Sequence, residues 1–245
     1  MSGHSHAANI AAKKAKTDAA KGKIFTKVGR EISVAAKGNP DPETNSKLAD
    51  AIAKAKAANM PNENIKRCIA KAAGELSGDN YEELTYEGYG PSGSAVIIKT
   101  LTDNKNRTVD YVRTAMRKHG GSLGNAGCVS FTFTNLGVIV IEKTAGMEED
   151  VVMEYALEAG ADDFIAEDDA FIVHTTPSNF SAVRKYLEEK GLNFFEAQVE
   201  MVPQNKITLE GDELAKFQRL VDALEDLDDV QNVYHNVDIP EADEE

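Results

Sequence analysis

Several groups of residues have types and spacing that could do chemistry. Gly88-Tyr89-Gly90-Pro91-Ser92-Gly93 matches G-x-G-x-x-G, whose glycines in dinucleotide-binding proteins let a pyrophosphate approach a helix N-terminus. Here a β-rich run, Ala95 to Leu101, follows instead of a helix, so a plain loop is the better reading. Gly120-Gly121-Ser122-Leu123-Gly124 matches the nucleophile-elbow pattern G-x-S-x-G, which requires a strand before the serine and a helix after it. The order here is helix, loop, strand, and the glycines read as a helix stop. His4 and His6 form H-x-H near the N-terminus, but two ligands alone make no structural zinc site. Asp162-Asp163 and Glu167-Asp168-Asp169 lack calcium-loop spacing and flank a turn. His119, His174 and His235 are scattered, and no His-Cys or His-carboxylate spacing stands out. None of these residues argues for catalysis. No cofactor, metal or small-molecule substrate is expected.

Rows of cations offer a different chemistry. Lys23, Lys27 and Arg30 fall at i, i+4 and i+7, along one side of a helix whose other side carries Phe25, Val28 and Ile32. Lys13, Lys14 and Lys16 precede that row, and Lys66, Arg67 and Lys71 form a further cluster. Cations at such spacing can each meet a phosphate, the gain arising largely from released counterions. Lysine exceeds arginine by 12 to 2 between Met1 and Gly74, favouring backbone contact over bidentate reading of guanine. Phe25 is the only aromatic in that segment and lies on its apolar side, so base stacking has little support there. For any single lysine, a solvated helix face is the competing explanation.

The charge of the whole chain supports this focus. Residues 1 to 74 hold 14 Lys+Arg against 6 Asp+Glu, a net of +8, and the remaining residues hold 13 against 35, a net of −22. An overall −14 thus conceals a basic module, and nucleic acid is the commonest polyanion for such a module to meet. A basic segment folded onto its own acidic body is the alternative, and would make the protein an interaction scaffold. The apolar fraction of 42% is that of a globular protein, and no apolar run reaches the ~20 residues of a membrane span. The N-terminus lacks the apolar core of a secretory signal. Cys68 and Cys128 stand in no metal or redox spacing, as in a reducing compartment, so the cytoplasm is the expected location.

The elements that must position these residues follow from periodicity. A helix is predicted over about 22–37, and Asp41-Pro42-Glu43 reads as the cap and first turn of the next. That helix has Leu48, Ala51, Ile52 and Ala55 inside, and a last one buries Ile65, Cys68, Ile69 and Ala72 and ends at Gly74. From Ala95 the pattern is mixed: a strand, a helix over 108–119, and a strand over 129–134. Residues 138–202 then read β-α-β-β-α-β, the ferredoxin-like plan, before a helix over 212–227 and a strand over 230–235. The fold class is therefore α+β: an N-terminal helical domain followed by two α+β (ferredoxin-like) domains, the second inserted into the first. The expected boundaries are 1–78 for the basic helical domain, 79–135 plus 205–238 for the split domain, 136–204 for the insert, and 239–245 for an acidic tail.

Several stretches resemble the YebC family. They are the opening Met1-Ser2-Gly3-His4-Ser5, Asn9-Ile10, GKIFTKVGREI (22–32), ANMPNENIKRCIAKA (58–72), YEGYGPSG (86–93), LTDNKNRTVDYVR (101–113), GGSLGNAGCVSFTF (120–133) and DDVQNVYHN (228–236). The resemblance implies a helical N-terminal domain plus two α+β domains and no enzymatic activity. It implies a DNA-binding transcriptional regulator in bacteria, with organellar relatives that activate translation and bacterial ones linked to ribosomes stalled on proline-rich stretches. The implied partner is nucleic acid, DNA or rRNA, or the ribosome, and no membrane. This chain has His6-Ala7 where the family usually has Lys-Trp, and Ala11-Ala12 where it is more basic, which weakens contacts expected of the N-terminal arm. The matching loop 102–108 places Asn104, Asn106 and Arg107 before a helix, where they could contact RNA, DNA or protein; helix capping by the asparagine is the alternative.

Overall fold

The computed structural model describes residues 21–74 and 81–239. His4, His6, Lys13, Lys14 and Lys16 and the expected acidic tail beyond Ile239 lie outside the described residues. The order of elements is helical first and mixed afterwards. The helices α1 (Lys21–Ala36), α2 (Ser46–Ala57) and α3 (Asn62–Gly74) precede β1 (Glu82–Tyr89), β2 (Ala95–Thr102), α4 (Lys105–Lys118) and β3 (Ser122–Leu123). Then come β4 (Phe133–Glu142), α5 (Glu149–Glu158), β5 (Asp163–Ala166), β6 (Ala170–Thr175), α6 (Phe180–Glu189) and β7 (Phe194–Pro203). The described chain closes with β8 (Ile207–Thr208), α7 (Gly211–Glu225), β9 (Val230–His235) and β10 (Val237–Asp238). This is the expected α+β class.

Contacts divide the chain into two compact units, one formed by residues up to Ile69 with Asn135–Glu200, the other by Ala70–Thr134 with Met201–Ile239. In the first unit, α1 buries Val28, Ile32 and Ala36, and α2 buries Leu48, Ala51 and Ala55. The second helix begins later than Asp41-Pro42-Glu43 suggests. Asp41 Oδ1 accepts the Glu43 N–H at 3.0 Å and makes a local turn, leaving Asn45 to cap α2 by accepting the Leu48 N–H at 3.1 Å. The Asn45 amide also donates to the carbonyls of Ala35 and Asn39, both at 2.7 Å, so one side chain ties the end of α1 to the start of α2.

The same unit holds a four-stranded sheet in the order β5-β6-β4-β7. Within β-α-β-β-α-β this is second, third, first, fourth, the ferredoxin-like arrangement, with β4 antiparallel to β6 and β6 to β5. Alternation along the strands sends Ile139, Ile141, Phe171 and Val173 to one face, where Val152, Ala156, Phe180, Val183 and Leu187 of α5 and α6 complete a core. Between α2 and α6, Asp50 accepts from Arg184 Nε at 3.0 Å and from the Ser181 hydroxyl.

The second unit contains the sheet β3-β1-β2-β9 and a small parallel pair, β8 with β10. Strand β1 was not legible as such: its glutamates at 82, 83 and 87 and its glycine hide a pairing that runs from Glu82↔Thr102 to Tyr89↔Ala95. Gly88 and Tyr89 are therefore strand, and only Gly90–Ser94 form the turn, closed by Gly90 N–H to Ser94 O at 2.8 Å. A Cβ on Gly88 would sit 2.3 Å from the Ser122 carbonyl, so the glycine admits β3 rather than a phosphate. One face of the sheet packs Val96 and Ile98 against Val112 and Met116 of α4 and Phe217, Leu220 and Leu224 of α7. On the other, Ala95 and Ile97 meet Val129 and Phe133.

Candidate nucleic-acid interface

The apolar stripes decide which cations face outward. Burial of Val28 and Ile32 turns α1 so that Lys23 is exposed while Lys27 and Arg30 are half-buried along the same flank. These three each interact with another group of the protein, as does Lys71. A cation on a solvated flank can exchange such a partner for a phosphate. Gly29 lies buried where a Cβ would be 3.3 Å from Cys68 Sγ, which brings α1 close to α3. The Lys54–Glu31 pair, 2.8 Å apart, joins α2 to α1.

On α3 the helix turn puts Lys66, Arg67 and Lys71 within one arc, and all three are exposed while Ile65 is buried. Lys66 and Arg67 adjoin in sequence and diverge by about 100° around the axis, so they suit two successive phosphates better than one. The described structure thus leaves Lys23 and the α3 cluster exposed and Lys27 and Arg30 half-buried. Lys13, Lys14 and Lys16 are outside it.

The loop residues behave differently. Asn104 caps α4, its Oδ1 accepting the Arg107 N–H at 3.1 Å, so its side chain has an internal task. Arg107 Nη2 lies 2.9 Å from the buried Asp229 Oδ2 and 2.8 Å from Asp103 Oδ1, and the Thr108 hydroxyl donates to Asp229 at 2.8 Å. Its hydrogen bonds to Asp229 first, and to Asp103 second, raise the guanidinium pKa further. Only Asn106 of the three is exposed without a described hydrogen bond.

Sequence reasoning passed over Glu87. It is buried, and its carboxylate accepts the N–H groups of Gly127 (2.9 Å), Val129 (2.9 Å) and Ser130 (2.8 Å). Burial pushes its pKa up, but these three donors outweigh that and hold it below the usual carboxylate range. The Val129 and Ser130 N–H groups are engaged by Glu87 and the Thr132 N–H by the Val129 carbonyl, so none of these three is free for a ladder. The strand expected over 129–134 is instead a 3₁₀ turn, Ser130–Thr132, followed by β4. No local signal marks Glu87, which sits in a largely polar strand three residues before Gly90 while its donors lie some 40 residues further along the chain.

Burial, and then the charge of Glu87, push the Cys128 thiol pKa up, away from the reactive thiolate. Among the described residues no histidine or carboxylate hydrogen-bonds to Ser122, and no group of three or more His, Cys, Asp or Glu could hold a metal ion. A hollow of about 610 Å³ lies between the first turn of α2 and the start of α6, lined in part by Lys47, Asp50, Phe180, Ser181 and Lys185. Its carboxylate, Asp50, is engaged with Arg184 and Ser181. No helix among the described residues is long and apolar enough to cross a membrane.

Comparison with known proteins gives a consistent picture. The profile described as "TACO1/YebC protein N-terminal domain" matches residues 5–75, and "TACO1/YebC second and third domain" matches 81–237. The chain is 56% identical over 246 residues to the "Probable transcriptional regulatory protein ORF2U" of Hathewaya histolytica, covering all of both chains. It is 60% identical over 238 residues to a "Probable transcriptional regulatory protein" of Acetivibrio thermocellus, covering 96% of this chain and 98% of that one. A crystal structure of the conserved hypothetical protein Aq1575 from Aquifex aeolicus matches with a TM-score of 0.81 at 43% identity, over 94% of this chain and 96% of that one. With both profiles and full-length relatives in agreement, this chain belongs to the TACO1/YebC family.

Proposed function

We propose that the protein is a cytoplasmic, non-enzymatic regulator of gene expression that grips nucleic acid through its N-terminal helices and acts in control of transcription. One observation carries the reading: outward cations on α1 and α3 belong to a segment of net +8 in a chain of net −14. The names of its relatives, probable transcriptional regulatory proteins, favour the same reading. The gripping part is a domain of residues 1–78, while the split domain of 79–135 plus 205–238 and the insert of 136–204 limit how the polymer can lie. Lys23, Lys27 and Arg30 on α1, Lys66, Arg67 and Lys71 on α3, and Lys13, Lys14 and Lys16 ahead of them meet phosphates. Asn106 adds a polar contact, and Arg107 and Asn104 shape the loop.

The test is a double variant, Lys66→Glu with Arg67→Glu, in the full chain. Both residues are exposed and the fold should be unchanged. If roughly five phosphates are neutralised, log K for duplex DNA falls against log salt with a slope of about −4.5. The double variant removes about two of those contacts, flattening the slope to about −2.7 and lowering the affinity at least tenfold. Unaltered affinity and slope would remove this surface from the proposal. Purified ribosomes competing at matched salt decide between the two polymers, and a strong preference for them would replace promoter control by a role in translation.

A further inference from the structure

The segment from Tyr111 to Thr134 departs from the acidic character of its surroundings. It carries Arg113, Arg117 and Lys118 and not one Asp or Glu, within a portion of the chain whose net charge is −22. It also presents Phe131, which is 73% exposed, the most open large apolar side chain among the described residues. An exposed phenylalanine on a slack loop would mean little. This one is held firmly. Glu87 fixes the preceding N–H groups of Val129 and Ser130, and the Thr132 hydroxyl and N–H both donate to the Val129 carbonyl, at 2.7 and 2.9 Å. On the far side Gln204 N–H donates to the Thr132 carbonyl at 2.9 Å.

A second aromatic joins the same loop. Tyr89, 42% exposed, donates its hydroxyl to the Cys128 carbonyl at 3.0 Å, three residues before Phe131. Its backbone pairs with Ser122 of β3, four residues beyond Lys118, so the basic end of α4 leads directly to it. Arg117 and Lys118 are exposed there. Firmly held aromatic faces on the loop that follows a cationic helix end suit a sequence-tolerant grip on unpaired bases: the rings stack and the cations meet the backbone. A docked protein would need an apolar area of a size that two rings do not supply.

We propose that Phe131 and Tyr89 form a stacking platform for unpaired bases, with Arg117 and Lys118 meeting the adjoining phosphates, so that the protein binds single-stranded segments as well as duplex backbone. The inference rests on nucleic acid being the partner, as proposed above, but on different residues. The test uses the full chain, fluorescein-labelled oligouridylate and a blunt DNA duplex. Phe131→Ala is expected to weaken oligouridylate roughly tenfold and leave the duplex unchanged. The chain contains no tryptophan, so Phe131→Trp installs a single reporter whose emission should be quenched, saturably, as a base stacks on it. Equal oligouridylate binding by the wild type and Phe131→Ala, with unaltered emission from Phe131→Trp, would overturn the platform. It would leave the helical grip standing and Phe131 as a contact for a protein. Quenching that persists in the Lys66→Glu, Arg67→Glu background would support the platform even where the helical reading fails.

Discussion

Glu87 shows how one side chain can organise what its neighbours do. A buried carboxylate is costly unless its charge is met, and here three N–H groups of one loop meet it. Replacing it with alanine removes three charge-assisted hydrogen bonds and leaves the Val129 N–H buried and unmet, and should destabilise the protein by about 2–3 kcal/mol. Because the folded-state pKa is lowered, the stabilisation is complete above the unfolded value of about 4.3 and is lost as pH falls through the lower folded value. Urea unfolding of the wild type and Glu87→Gln should differ at neutral pH and converge in acid. A gap that stays constant with pH would show that the charge is not what matters. Nothing in the stretch YEGYG announces this role, because the loop that answers Glu87 lies some 40 residues further on. Phe131 was equally hidden: Phe131-Thr132-Phe133 alternates like a strand, and only the engaged N–H groups reveal that it is not one.

Among the elements, those with strong local signals were legible. The stripes Val28/Ile32 and Leu48/Ala51/Ala55 mark the helices, and the turn expected around Glu167-Asp168-Asp169 lies between β5 and β6. Strand β1 was missed, although its pairing with β2 is a local hairpin, since its own residues are largely polar and include Gly88. The start of α2 was misplaced by four or five residues, since a proline after Asp41 looks like a first turn, whereas Asn45 can also reach back to two carbonyls. That additional reach is testable. Asn45→Ala should cost about 2 kcal/mol through the loss of the cap and the bridge together. Asn45→Asp keeps the cap acceptor but turns a second oxygen towards Ala35 and Asn39 O, so chemical unfolding should find it no more stable than the alanine variant. Recovery of wild-type stability by aspartate would mean that the bridge contributes nothing.

At the level of the whole molecule, the reversal of charge between the two ends and the ferredoxin-like series inside a split unit could both be read directly. The strand order β5-β6-β4-β7 agrees with that series, because chain direction and short connections leave few other arrangements. What could not be read is how the surface is apportioned: which lysines have internal partners, and that Arg107 is bound to Asp229. Those facts depend on residues far apart in the chain. They also change the weight given to each candidate, moving it from the 102–108 loop towards α3 and towards Phe131.

The hydrogen bond from Gln204 to Thr132 has a consequence for engineering. It brings the strand leaving the second unit alongside the strand returning to it, and Glu142 N–H to Asn193 O at 2.9 Å does the same at the opposite end of that pair, making β4 and β7 antiparallel. The intervening stretch is thus a cassette with a zipped neck. Exchanging residues 135–200 for an Asn-Gly turn should convert the neck into an ordinary hairpin and leave the flanking α+β body able to fold, checked by a single cooperative thermal transition and retained near-ultraviolet dichroism. A shortened chain that is molten would show that the cassette is a structural necessity and not a graft.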